Sequence, residues 1–127
     1  MKKRLLTLFT ALLALGGMSA SAQAVLKIDK TTHNFGNFDE NQLVSCVFSF
    51  TNTGDKPLVI QQALATCGCT VPQFTKEPIK PGAKGEIKIT YNGKGKYPGH
   101  FKKAITIRSN ASNSLVRIYV EGNMTSK

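Results

Sequence analysis

The sequence predicts an all-β fold, an immunoglobulin-like antiparallel β-sandwich of about seven to eight short strands behind a signal peptide. Apolar and polar residues alternate with period two through most of the chain after residue 24, as strands with one buried and one wet face require. Clusters of Gly, Pro, Asn and Asp break these runs at short intervals, and each break has a backbone reason: Gly permits positive φ and Pro presets φ. The chain is 127 residues long and 41% apolar. That is too apolar for a disordered chain and too short for a second core.

The N-terminus carries an export pattern. Lys2, Lys3 and Arg4 precede an apolar run over residues 5–15, and small residues follow from Gly16 to Ala24. A-x-A matches end at Ala22 and at Ala24, so the reading is a signal peptide over residues 1–24, cleaved after Ala22 or Ala24. The apolar run is shorter than the roughly 20 residues of a membrane span. The expectation is therefore an exported protein, periplasmic or extracellular in a Gram-negative bacterium, with no stable membrane insertion after cleavage. Of 17 basic residues three leave with the leader, and none of the seven acids does, so the net charge falls from +10 to +7. A basic surface keeps such a domain soluble and attracts anionic surfaces at long range.

The domain fills residues 25–127. Strands are expected near residues 25–29, 33–38, 43–51, 57–65, 70–75, 84–91, 100–109 and 114–122. In the third, Val44, Cys46, Phe48 and Phe50 share one face. Ile87, Ile89 and Tyr91 do so in the sixth, Ile105 and Ile107 in the seventh, Val116, Ile118 and Val120 in the eighth. These β-branched and aromatic residues suit a pleated surface. Asn52-Thr53-Gly54-Asp55, Pro81-Gly82, Asn92-Gly93, Pro98-Gly99 and Asn110 to Asn113 supply the breaks. There is no Trp, so the Cys–Trp–Cys core of antibody domains is missing.

Residues that could carry chemistry are few. Cys67-Gly68-Cys69-Thr70 is the sharpest feature. In an extended chain, residues two apart point to one side, and Gly68 lets the backbone bend, so the two sulfurs can meet. A bridge over one residue closes a very small ring, and strained bridges are more easily reduced. Cys46 leaves three single bridges open: Cys46 with Cys67, Cys46 with Cys69, or Cys67 with Cys69. Each leaves one thiol over, and Cys46 also reads as a small buried hydrophobe. Redox exchange, metal handling and simple packing all remain readings of Cys46, Cys67 and Cys69. A metal site would need more ligands, and His33 and His100 are the only imidazoles. No metal, cofactor or catalytic residue is assigned, and no nucleophile–base order or carboxylate pair stands out, so the protein reads as a non-enzyme.

Residues 93–103 are basic and Gly-rich, but they match neither G-x-x-x-x-G-K-S/T nor G-x-G-x-x-G, since Pro98 stands where the third Gly belongs. A Lys-rich hairpin in an exported chain reads as a soluble sheet edge rather than a nucleic-acid site. Asn110-Ala111-Ser112 and Asn123-Met124-Thr125 match N-x-S/T, a short pattern that matters only where the glycosylation pathway exists.

Several segments occur together in order: Phe35-Gly36, Phe48-Ser49-Phe50-Thr51-Asn52-Thr53-Gly54, Pro57-Leu58-Val59-Ile60, Cys67-Gly68-Cys69-Thr70-Val71-Pro72, Ile79-Lys80-Pro81-Gly82, Gly85-Glu86-Ile87 and Ser109-Asn110. From about residue 28 to residue 123 the chain resembles the bacterial domain-of-unknown-function family 1573, common in secreted proteins of Bacteroidetes. The resemblance implies a sandwich of the Hydin-like and major-sperm-protein-like branch, exported and without an assigned enzymatic activity. It adds no catalytic residue, and Cys46 lies outside its motifs. The expected role is a binding or structural module of the cell envelope, its partner an unknown protein or glycan held at a sheet edge or loop. The alternative is a thiol-active envelope protein using Cys67-Gly68-Cys69.

Overall fold

The structure, a computed structural model, describes residues 22–126. Most of the leader read from the sequence lies outside the described residues. Eight strands follow in order: β1 (Leu26–Ile28), β2 (Thr32–Asp39), β3 (Val44–Asn52), β4 (Ile60–Ala65), β5 (Thr70–Phe74), β6 (Lys84–Tyr91), β7 (Gly99–Ser109) and β8 (Leu115–Thr125). They form two four-stranded sheets, ordered β1-β3-β6-β5 and β2-β8-β7-β4.

The inner faces are the ones that the alternation marked. Cys46, Phe48, Phe50, Ile87 and Ile89 from one sheet pack with Ile60, Ile105, Ile107, Ile118 and Val120 from the other. Full burial of each such side chain contributes roughly 1.5–3 kcal/mol, which is what holds the two layers together. Polar neighbours on the same strands, such as Lys84, Glu86 and Lys88 on β6, face outward.

Two expectations need correction. The run over residues 57–65 becomes a strand only from Ile60. Leu58 instead forms an isolated bridge to Ile79, with N–H to carbonyl distances of 2.8 and 2.7 Å in the two directions. The second difference is direction. Seven strands pair antiparallel within their sheets, but β2 runs parallel to β8. The chain pairs with β3 through β1, bends across Asp29 to Thr31, and continues into the other sheet as β2 without reversing. Period-two alternation marks the buried face of a strand but is blind to its direction, so the sequence could not show this.

Asn52, at the end of β3, explains the Asn of the Phe48-to-Gly54 motif. Its side chain is fully buried. Oδ1 accepts the N–H groups of Val25 at 3.2 Å and Gly54 at 3.0 Å; Nδ2 donates to the carbonyls of Lys56 at 2.7 Å and Ile79 at 2.9 Å. All its polar capacity is used, as burial demands. Asn113 similarly pins β1, accepting from the N–H of Leu26 and donating to its carbonyl.

Candidate functional site

One end of the sandwich gathers the chemistry. There β4 stops pairing with β7 at Ala65, opposite Ile105, and the chain crosses to the other sheet, where β5 begins at Thr70 opposite Tyr91. Cys67-Gly68-Cys69 is that crossing. Cys67 and Cys69 are joined in a disulfide, and Cys46 is a free buried thiol. Of the three bridges that the sequence allowed, the structure contains the shortest.

The crossing turn is held by its backbone. The Thr70 N–H donates to the Cys67 carbonyl at 3.1 Å, and the Asn92 N–H donates to the Cys69 carbonyl at 2.8 Å. The Cys69 N–H points at Cys67 Sγ, 3.2 Å away. The two sulfurs sit in unequal surroundings: Cys67 is half-buried, whereas Cys69 is buried. Thr70 Oγ1 lies 3.6 Å from Cys69 Sγ.

Beneath the bridge is a second, smaller core of Phe38, Cys69, Tyr91 and Met124, with Phe35, Val44, Cys67 and Phe101 against it. Tyr91 and Phe101 stack with centroids 4.1 Å apart, and Phe38 meets both edge-on. Such pairs add about 0.5–1.5 kcal/mol beyond their area. Burial pushes the Tyr91 hydroxyl above its usual pKa. Sequence reading placed Tyr91 on an inner face but missed this cluster, because its members come from β2, β6, β7 and β8. The available signal was the number of Phe and Tyr near Gly-rich breaks.

The basic segment begins beside the bridge. Asn92 Oδ1 accepts the Lys94 N–H at 3.1 Å, and the Lys96 N–H closes a turn on the Gly93 carbonyl at 2.9 Å. Gly95 and Gly99 take φ values of 82° and 116°, a region that favours glycine. Tyr97 at the tip is 97% exposed. Beyond it, β7 pairs with β8 from Gly99 to Arg108 but with β4 only from Ile105 onward. Residues 99–104 therefore have a strand neighbour on one side only, among the described residues. On this stretch Phe101 turns toward the aromatic cluster, while Lys102 points outward with Nζ 5.1 Å from the Tyr119 ring centroid.

The remaining candidates lie elsewhere. Cys46 sits in the main core opposite Ile89, and burial pushes its thiol up to about 11, against a smaller pull from Lys30. His33 packs edge-on to Phe35, and burial, then Lys30, lowers its pKa. His100 faces Glu121 at 3.3 Å on the outer surface. Neither imidazole joins the cysteines, and among the described residues no three His, Cys, Asp or Glu side chains converge as a metal set. Asn110 and Asn123, the glycosylation-pattern residues, are tied into the fold. Asn110 accepts from the Val59 N–H and donates to the Pro57 carbonyl, and Asn123 donates to Asn37. No helix among the described residues is long and apolar enough to cross a membrane.

Residues 26–124 match the family described as protein of unknown function (DUF1573). The chain belongs to that family. No curated protein matches this DUF1573 chain. Among solved structures it is similar to a protein of unknown function from Porphyromonas gingivalis, with 19% identity and a TM-score of 0.70. The match covers 83% of this chain and 49% of that one, so the DUF1573 chain spans about half of its length. It is similar to a PapD-like domain of human CEP192, with 10% identity, a TM-score of 0.67 and coverage of 83% and 88%. It is also similar to the periplasmic chaperone SfaE, with 12% identity, a TM-score of 0.59 and coverage of 79% and 58%. At these identities the likeness is one of fold: the chain is an immunoglobulin-like, PapD-like sandwich.

Proposed function

We propose that this DUF1573 protein is an exported, non-catalytic module of the cell envelope that docks an extended partner segment along the open side of β7. The observation that carries the reading is the stretch of β7, residues 99–104, that outruns β4. Backbone N–H and C=O groups on the side of such a stretch away from β8 can accept another strand, which supplies affinity, while alternate side chains supply specificity. Inward-pointing side chains of a docked segment would meet the edge of the Tyr91 and Phe101 stack. Outward ones would pass Lys102, with Lys94 and Lys96 on the adjoining loop. The partner this fits is an extended protein segment with apolar residues at alternate positions and acidic residues between them. The leader pattern at residues 1–24 and the PapD-like fold, shared with periplasmic chaperones, support placing it in the envelope.

The test uses a synthetic peptide alternating valine and glutamate. Amide hydrogen exchange of the purified protein should slow on residues 99–104 when the peptide is added. The effect should weaken with salt and in the Lys94→Glu, Lys102→Glu variant. No protection on β7, or protection on another strand, overturns the reading.

A further inference from the structure

We propose that the Cys67–Cys69 bridge is a thiol–disulfide exchange site that takes a substrate thiol at Cys67. The inference does not depend on the docking edge and is tested separately from it.

A bridge of this span is a poor staple. It joins cysteines two apart in sequence. A cross-link stabilises a fold mainly by closing a loop of the unfolded chain, and the effect grows with loop length. Here almost no loop is closed. The crossing turn also has backbone bonds of its own, from Thr70 N–H to Cys67 and from Asn92 N–H to Cys69, that do not need the S–S bond. Stability therefore gives little reason for the bridge, and chemistry is the remaining use of two cysteines at this place.

The unequal burial of the sulfurs sets the direction of attack. Displacement at a disulfide needs a thiolate in line with the S–S bond, with the far sulfur as leaving group. Cys67 is the more exposed of the two, half-buried at the edge of the cluster, whereas Cys69 is one of its buried members with Phe38, Tyr91 and Met124. Thr70 Oγ1, 3.6 Å from Cys69 Sγ, is placed to donate to the departing thiolate. Lys94 and Lys96, on the loop that starts at the Asn92 contact, favour the approach of an anionic nucleophile.

The step balances with a thiol as the only co-reactant. The incoming thiolate bonds to Cys67 Sγ as the Cys67–Cys69 bond breaks. The bonding pair leaves on Cys69, which takes a proton from water. A second thiolate then attacks the substrate sulfur of the mixed disulfide and releases Cys67. The protein gains two electrons and two protons, and two substrate thiols become one substrate disulfide. The substrate class is a thiol: a small cytosol-type thiol or a cysteine side chain of an exported polypeptide.

The purified folded protein is incubated in parallel with reduced glutathione and with an unstructured peptide carrying one cysteine. Each sample is quenched in acid, alkylated and mapped by mass spectrometry. Adducts are expected on Cys67, with Cys69 appearing as a free thiol; the arm that reacts faster identifies the source of the thiol. A bridge intact in both arms, or adducts on Cys69, overturns the proposal. With oxidised glutathione, Cys69→Ser should form its mixed disulfide at least about tenfold faster than Cys67→Ser, since only the former leaves the accessible sulfur. Equal rates overturn it. The Cys67→Ser, Cys69→Ser variant should melt within a few degrees of the wild type, whereas a large drop assigns the bridge to structure and overturns the proposal.

Discussion

The side-chain amide of Asn52 donates to the carbonyl of Ile79 at 2.9 Å, linking the end of β3 to the segment that precedes β6 inside a space closed to water. Three further bonds, to Val25, Gly54 and Lys56, radiate from the same side chain. Replacing Asn52 by Ala removes all four at once and leaves part-buried backbone groups without partners. The expected loss is about 2–4 kcal/mol in denaturant unfolding. Asn52→Asp should cost more, because it aims a carboxylate at two carbonyls. A loss below about 1 kcal/mol for Asn52→Ala would show that water or a shifted backbone replaces these bonds.

The two candidate cleavage points differ in what they leave behind. Ala24 is buried, its carbonyl accepts the Ser112 N–H at 2.9 Å, and the Gln23 carbonyl accepts the Asp55 N–H at 2.8 Å. A chain beginning at Gln23 keeps both bonds, and one beginning at Val25 loses both. The Gln23 form should be more stable by roughly 1–3 kcal/mol. Chains made to begin at Gln23 and at Val25 should show this difference in denaturant unfolding. Equal stability of the two chains would contradict this.

Gly85 lies directly across from Phe50 in the β3–β6 ladder. A methyl group there would come within 2.5 Å of the Phe50 ring, which is fully buried. Gly85→Ala should therefore destabilise by about 1–3 kcal/mol, the usual cost of overpacking. The paired change Gly85→Ala, Phe50→Leu should recover part of the loss in a double-mutant cycle. Purely additive losses would place the strain elsewhere.

Alkaline pH should weaken the fold. Burial raises the Cys46 thiol from 9.0 to about 11, and it also raises Tyr91. Both groups ionise more readily when unfolded, so stability is intact below pH 9 and falls as pH rises toward 11. For Cys46 the full loss is of order 2–3 kcal/mol. Cys46→Val should flatten much of that slope and leave the part due to Tyr91. The same burial predicts that Cys46 resists alkylation until the protein unfolds.

Much of the fold was legible because strands announce their buried face. The inward sets on β3, β6, β7 and β8 were readable directly from alternation, since each side chain at every second position must meet the opposite sheet. Cys46 was readable for the same reason, as a member of the Phe48 and Phe50 face. The site was only half legible. Cys67-Gly68-Cys69 stands out locally, but its bridge was one of three choices, and the sequence could not tell that Cys67 is half-buried while Cys69 is buried.

The amino-acid order by itself determined an all-β chain, its strand positions and the residues that form its interior. It could do so because periodicity and turn chemistry act over a few neighbouring residues. The tertiary structure decided the parallel course of β2, the aromatic cluster under the bridge and the open side of β7. Each depends on which distant strands become neighbours, and that is settled by how two sheets pack rather than by any local pattern.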